Sequence, residues 1–507
     1  MQKLNSKSIK NTTFGTILSA IILFGIIFRT MAWLKGYPLF YDEASLLYNI
    51  NEKSTAELFL PLYEGQCCPP LFLICSKFIY RIFGANEIAL RFLPWLFSVL
   101  SLIIFCKLST KVLRNKICIL AANALFATSE FIILYTMFFK HYTCDVFFSV
   151  LIVLLAFWFK DKDLKRGELV ALSAFGIISI LFSYTSCFII ASSFFVLFVY
   201  RVSKSISSTK ESPIKTELFK SIYFIIPLLI FGIFYFSINC SYAIKSEYLQ
   251  HFWGVLFGTM FPADINQARN FLTFFASSTA WELSTLLFLV ISIFVTFKKD
   301  KFFFGIIFSP FIFAATAGLL HLYPFFAERV SIYLIPLFIL WIIKPIDYIE
   351  LKSKTLTITA ITLCCLTLLN YGKIYKYFSQ NSGVTTLEVI KHNYEKRYQT
   401  EKSAYAKEFI DFLRHSDYSS DDYIFCKFAN HRLFELYDPK EDVNREKVFY
   451  FPSDLDEVPT GSTIFFCLSE KYDNIYPETS EWIEKHGEIS YEIPSFGYKF
   501  LKVKKVR

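Results

Sequence analysis

The sequence predicts an all-α polytopic membrane protein of about eleven transmembrane helices followed by a small C-terminal α/β domain. Three observations predict it. The chain is 54% hydrophobic and only 19% charged, with a mean hydropathy of +0.43, against roughly 25% charged residues in a soluble domain. Apolar runs long enough to cross a hydrocarbon core of about 30 Å recur from residue 13 to residue 371. After Tyr371 the composition becomes charged and ordinary. These features set the expected domains at 1–374 and 375–507.

Taken in order, residues 1–12 are polar and basic, and residues 13–33 are apolar. The run is too long for a signal peptide, contains Arg29 and has no small-residue cleavage site, so it reads as an uncleaved first helix with its N-terminus inside. Residues 34–87 are of mixed polarity. Leu46, Leu47 and Ile50, then Leu58 and Phe59, mark short amphipathic helices at the membrane surface. Pro69-Pro70 opens a helix and Phe83-Gly84 ends it. Further spans are expected near 88–108, 117–135, 142–159, 168–183, 186–202, 219–239, 276–297, 302–321, 329–344 and 354–371.

The loops test that count. Lys111, Arg114 and Lys116 fall in one inside loop. Lys160, Lys162, Lys165 and Arg166 fall in the next, then Lys204, Lys210 and Lys215, then Lys298, Lys299 and Lys301. This satisfies the positive-inside rule and makes the net charge of +9 a topology signal, with no nucleic-acid partner implied. The expected location is the plasma membrane, with a cytoplasmic N-terminus and an extracytoplasmic C-terminal domain. In that domain Tyr423–Cys426, Val448–Tyr450, Ser462–Cys467 and Tyr498–Val503 read as strands, and 385–415 as helical. Most of the twelve cysteines lie in apolar runs; Cys426 and Cys467 sit in two strands, as thiols or as a bonded pair.

On this topology the chemistry collects on the outside face. Asp42 and Glu43 follow the first helix, with Gln66 beyond them; Lys140, His141 and Tyr142 form a later turn, with Asp145 one turn into the following helix. Tyr323, Glu328 and Arg329 lie in another. A carboxylate at such a face can take a proton from a hydroxyl, hold a cation, or merely suit a solvated helix start near the positive dipole end. Lys140, His141 and Arg329 can hold a phosphate, or snorkel to headgroups. Together they suit a lipid-linked sugar phosphate, whose amphiphilic nature accounts for a site at the lipid boundary.

The order of these motifs resembles the GT-C glycosyltransferases of the protein O-mannosyltransferase and aminoarabinose transferase kind. Asp42-Glu43 stands in the first outer loop, then Pro69-Pro70-Leu71, then Phe83-Gly84 with Glu87, Leu90 and Arg91. Lys140-His141-Tyr142-Thr143-Cys144-Asp145 follows, and Tyr323-Pro324-Phe325 with Arg329. The resemblance covers residues 10–345 well. It implies inverting transfer of a sugar from a polyprenyl-phosphate donor to an extracytoplasmic acceptor, which is a glycolipid, a surface glycan or a protein. By the same resemblance Asp42 is the base, and Glu43 supports it or helps hold a divalent cation. Lys140, His141 and Arg329 bind the donor phosphate, and Gln66, Tyr142, Asp145, Tyr323 and Glu328 line the substrate. One departure stands out: relatives often place His just before the Pro-Pro pair, where this chain has Cys68. A flippase or exporter of lipid-linked sugars is the rival reading; it predicts charges through the bundle midplane and repeat symmetry between halves, and no sequence repeat is visible. A surface-glycan polymerase or ligase is a third.

Overall fold

The computed structural model describes residues 2–37, 39, 41–207, 213–245, 282–325, 329–348, 406–426, 443–449, 452–469, 478–495 and 498–506. The chain divides into two bodies. One comprises Met1–Lys35, Lys53–Ile82 and Ile88–Val389; the other comprises Gly36–Glu52, Phe83–Glu87 and Ile390–Arg507.

The first body is helical. Among the described residues seven helices are long and apolar enough to cross a membrane, or eight if one bent pair is a single span. The expected count of eleven is not reached there, for identifiable reasons. Arg166–Phe182 and Glu282–Lys299 are helices at expected places. The first is only 17 residues long, short of the roughly 20 that span a bilayer, and the second carries Lys298 and Lys299 in its last turn. Residues 354–371 lie outside the described residues.

The bent pair has a physical cause. Helix α1 (Gln2–Trp33) packs beside α5 (Phe92–Val112) and α6 (Lys116–Ala127). At Thr128–Ser129 the chain breaks before α7 (Glu130–Leu134), bending by 42°. A broken helix leaves its last carbonyls without backbone partners. Arg29, wholly buried, supplies them: Nη1 donates to the Ala127 carbonyl at 2.8 Å and to Gly25 at 3.0 Å, and Nη2 donates to Phe126 at 3.1 Å. Its Nε donates to Ser98 Oγ at 3.0 Å. Gly25 lets the two helices approach: a Cβ there would stand 2.7 Å from Leu102 Cδ2 and 2.9 Å from Ala127 Cβ.

At the basic-loop side, the helix Ile335–Tyr348 is tied to the turn between α5 and α6. Asp347 Oδ1 accepts from the backbone N–H of Arg114 at 2.8 Å and of Asn115 at 2.7 Å, while Oδ2 pairs with Lys344 at 3.0 Å. Asn115 then caps α6 by accepting from Ile117 N. Glu168 fixes the start of α9 (Arg166–Phe182), accepting from Lys165 N and Lys162 Nζ, each at 2.9 Å.

The second body contains helix α2 (Tyr41–Glu52) and a five-stranded sheet of order β2-β1-β3-β5-β4. The strands are β1 (Tyr423–Cys426), β2 (Val448–Phe449), β3 (Thr463–Ser469), β4 (Gly487–Ser495) and β5 (Tyr498–Lys505). β1 pairs in parallel with β2 and β3, and β5 pairs antiparallel with β3 and β4. One face of the sheet buries Phe425, Ile464, Phe466 and Val503 against Trp482 and Ile483 of the helix Glu478–His486. Helix Ala406–His415 carries the buried Phe409 and Phe412. Cys426 and Cys467 stand opposite each other in register, and no disulfide joins them. β4 and the helix Glu478–His486 were not anticipated, and expected helix 385–405 lies outside the described residues.

Candidate functional site

The polar cluster forms in the turn ahead of α8 (Tyr142–Phe159), facing the segment Gln66–Pro69. Pro70 starts α3 (Pro70–Phe83), so Gln66 to Pro69 must stay extended ahead of it. Opposite, a tight turn closed by Lys140 N donating to the Phe138 carbonyl at 2.8 Å brings Lys140 and His141 side by side. Lys140 is 7% exposed, and its Nζ donates to Gln66 Oε1 at 2.9 Å. Its charge therefore sits under cover, held by a neutral amide.

His141 lies against Cys68, with Nδ1 and Sγ 3.4 Å apart. Burial, and then the neighbouring Lys140 cation, pushes the imidazole down to about 3. Burial pushes the Cys68 thiol up, so it stays protonated and suits donation to the ring. On the other side, His141 Nε2 lies 3.9 Å from Asp145 Oδ2. With the ring neutral this is a dipolar contact and not a charged pair. The Cys68 carbonyl accepts from Tyr184 OH at 3.0 Å, and that hydroxyl meets Tyr235 OH at 2.9 Å.

Asp145 is 1% exposed, in the first turn of α8. Neither carboxylate oxygen has a hydrogen bond of ordinary geometry, and the hydroxyls of Ser183 and Thr185, themselves 3.1 Å apart, are the hydrogen-bonding groups directed at it. An orphaned buried carboxylate is costly and marks a place built for something polar. Tyr323 lies within its field: burial first, and the Asp145 and Tyr333 groups next, raise its phenol well above the usual range. Tyr142 packs edge-on against Tyr135, ring centroids 5.2 Å apart.

The structure thus gathers Gln66, Lys140, His141, Tyr142, Asp145 and Tyr323 within the helical body. Arg329 is half-buried at the first position of the 3₁₀ helix Arg329–Leu334 of the same body. Asp42 and Glu43 occupy the first turn of α2 and belong to the other body. Asp42 is half-buried and Glu43 fully buried, so the pair is not simply a solvated helix start. Glu328 lies outside the described residues. Sequence reasoning singled out Cys68 only as a departure from the motif, and it missed Ser183, Tyr184 and Thr185 as members of the cluster. Their signal was positional, since Tyr184 and Thr185 fall between the expected spans 168–183 and 186–202. Among the described residues no group of three or more His, Cys, Asp or Glu side chains is gathered closely enough to hold a metal.

His141 gives the cluster a pH signature. A folded-state value of about 3 lies below the ordinary value of about 6.5. Between the two the unfolded chain binds a proton that the folded chain does not. The contribution is complete above about pH 6.5 and is lost as pH falls toward the folded value. His141→Gln should flatten that part of the acid limb in melting temperatures recorded from pH 4 to 8. An unchanged limb would place the pH sensitivity elsewhere.

No protein-family model matches the chain, and no curated protein matches it in sequence. Solved structures do match in fold. The apo crystal structure of ArnT from Cupriavidus metallidurans superposes with a TM-score of 0.52 at 10% identity, covering 97% of this chain and 98% of that one. The structure of the same protein bound to undecaprenyl phosphate superposes with a TM-score of 0.51, with the same identity and coverage. The chain shares the fold of ArnT over nearly its whole length.

Proposed function

We propose that the chain is an integral-membrane glycosyltransferase that moves a sugar from a polyprenyl-phosphate-linked donor to an acceptor outside the cytoplasm. The observation that carries this reading is the sheltered Lys140–Gln66 pair beside neutral His141 and the orphaned Asp145 carboxylate. It occurs in a chain with the fold of a protein crystallised with undecaprenyl phosphate. Lys140, helped by Arg329 and the His141 ring, holds the donor phosphate and stabilises the charge that develops as it leaves. Asp145, Tyr142 and Tyr323 face the sugar. The acceptor hydroxyl attacks the anomeric carbon, the carbon–oxygen bond to phosphate breaks, and polyprenyl phosphate departs. Asp42, by its place in the motif order, takes the hydroxyl proton, and Glu43 supports it. One displacement inverts the anomeric centre. The basic loops lie on the cytoplasmic side of the plasma membrane.

The test is transfer from a set of polyprenyl-phosphate sugars by membranes carrying the wild-type chain or Lys140→Ala. Wild type should turn over one donor. Lys140→Ala should lose roughly 10²–10³ in rate, the scale seen when one preorganised charge-stabilising group is removed. If no donor is turned over even with crude acceptor extract, the flippase reading takes precedence and donor flipping in vesicles becomes the assay.

A further inference from the structure

The C-terminal body holds a cleft of about 680 Å³ between helix Ala406–His415 and strands β4 and β5. Ligand sites occupy roughly 300–1,000 Å³. The proposed transfer chemistry does not use it. We propose that this cleft binds an uncharged sugar residue of a glycan, as the recognition subsite for the acceptor.

The argument begins with spacing. Glu408, Asp411, Phe412 and His415 recur at three and four residues, which sets them on one stripe of the helix. That stripe lines the cleft, so two carboxylates and an imidazole flank one aromatic ring. Across from it, β4 pairs with β5 until the register shifts between Ile489 and Tyr491. Ser490 is the extra residue of this bulge, and its hydroxyl turns back to donate to the Lys502 carbonyl at 3.0 Å. Bulges re-aim side chains and gather next to functional sites.

Tyr491, the residue just after the bulge, is 52% exposed, unusual for a large aromatic in a small domain. Its ring lies nearly parallel to Phe412, centroids 6.3 Å apart and planes within 6°. Phe412 stacks in turn on Phe500 at 5.5 Å, and both of these are buried. The buried rings brace Tyr491 in a fixed orientation, leaving a rigid platform with an apolar body and a polar tip.

An aromatic face beside carboxylates is what a sugar ring requires. The C–H face of a pyranose is apolar and stacks on the ring, while its hydroxyls donate to acceptor-only carboxylates. The charge balance points to a neutral sugar. Three carboxylates, Glu408, Asp411 and Asp417, line the cleft; Lys502 pairs with Asp417 and Arg414 lies 3.6 Å from Asp411, so the lining keeps an acidic excess that repels a phosphorylated or acidic ring. This inference rests on the transferase reading only in naming the bound glycan the acceptor; the binding itself does not depend on it.

The full-length protein in nanodiscs would be examined by saturation-transfer NMR against tetrasaccharides ending in glucose, galactose, mannose or N-acetylglucosamine, with no donor present. The expected result is transfer to the ring C–H protons of at least one probe. Affinity should fall at least tenfold in Tyr491→Ala, at least threefold in Asp411→Asn, and little in Tyr491→Phe, which keeps the ring and guards against misfolding. Donor hydrolysis, measured separately, should be unchanged in all three. Binding by no probe, or equal binding by wild type and Tyr491→Ala, overturns the subsite. If donor turnover persists in that case, the transferase reading stands alone.

Discussion

Replacing Asp42 with Asn is expected to lower sugar transfer from the polyprenyl-phosphate donor by roughly 10²–10⁴-fold, the range a positioned general base supplies. Asn keeps the side chain's shape and removes its capacity to take a proton. The local structure makes the substitution interpretable. Asp42 and Glu43 open α2, where their negative charge suits the positive end of the helix, and Leu46, Leu47 and Ile50 anchor that helix by burial. The Asn side chain caps and starts helices about as well as Asp, so α2 should persist. Asp42→Asn should therefore melt within a degree or two of wild type while its rate collapses at unchanged donor KM, which is how loss of an interaction made only in the transition state reads. Glu43→Gln should cost less in rate and more in stability, because Glu43 is fully buried. Equal turnover by wild type and Asp42→Asn would leave the enzyme class standing and move the base to another residue.

Asp42 also shows how far a sequence can be read. The pair was visible because two adjacent carboxylates follow an apolar run, and the helix it opens was visible from Leu46, Leu47 and Ile50. Burial of Glu43 was not, because burial depends on what packs over α2. The membrane helices announced themselves through length and hydropathy, since lipid forces backbone hydrogen bonds to close within each segment. Their breaks did not: the bend at Thr128–Ser129 has no proline and depends on Arg29, about a hundred residues upstream, to satisfy the freed carbonyls. In the C-terminal body β1, β3 and β5 read correctly from apolar, β-branched and aromatic runs. β4 did not, because Glu488, Ser490 and Glu492 keep it polar at the sheet edge and Pro494 argues against a strand. At the cluster the ions were legible and their partners were not. Lys140 reaches an amide, His141 meets the Cys68 thiol, and Asp145 lies 3.9 Å from His141.

Arg29→Met carries the largest expected loss of stability, and its sign has to be argued. Met matches the length of the arginine stem and removes a buried cation, whose placement in a membrane helix costs about 2.5–3.5 kcal/mol on insertion scales. Against this, the variant leaves the Ala127 carbonyl without its donor inside the bundle, at about 1–3 kcal/mol, and leaves the Phe126 carbonyl with only the long 3.4 Å bond from Ser129 N. It also strips the charge-assisted bond to Ser98 and the stacking of the guanidinium 5.8 Å from the Phe126 ring. An intact chain has already met the insertion cost by burying Arg29 among acceptors, so the orphaned Ala127 carbonyl and the lost Ser98 bond decide, and the variant should be less stable by about 2 kcal/mol. Arg29→Lys should recover only part of this, because one ammonium cannot span four acceptors held by a planar fork. The effect should also reach the chemistry. Ser98, which accepts from Arg29, accepts as well from Thr136 Oγ1 at 3.1 Å, and Thr136 stands four residues before Lys140 in the same turn. Arg29→Met should therefore lower transfer and melting temperature together in detergent. A variant that melts higher than wild type would mean that the cation's cost outweighs its bonds and that the break is held by packing alone.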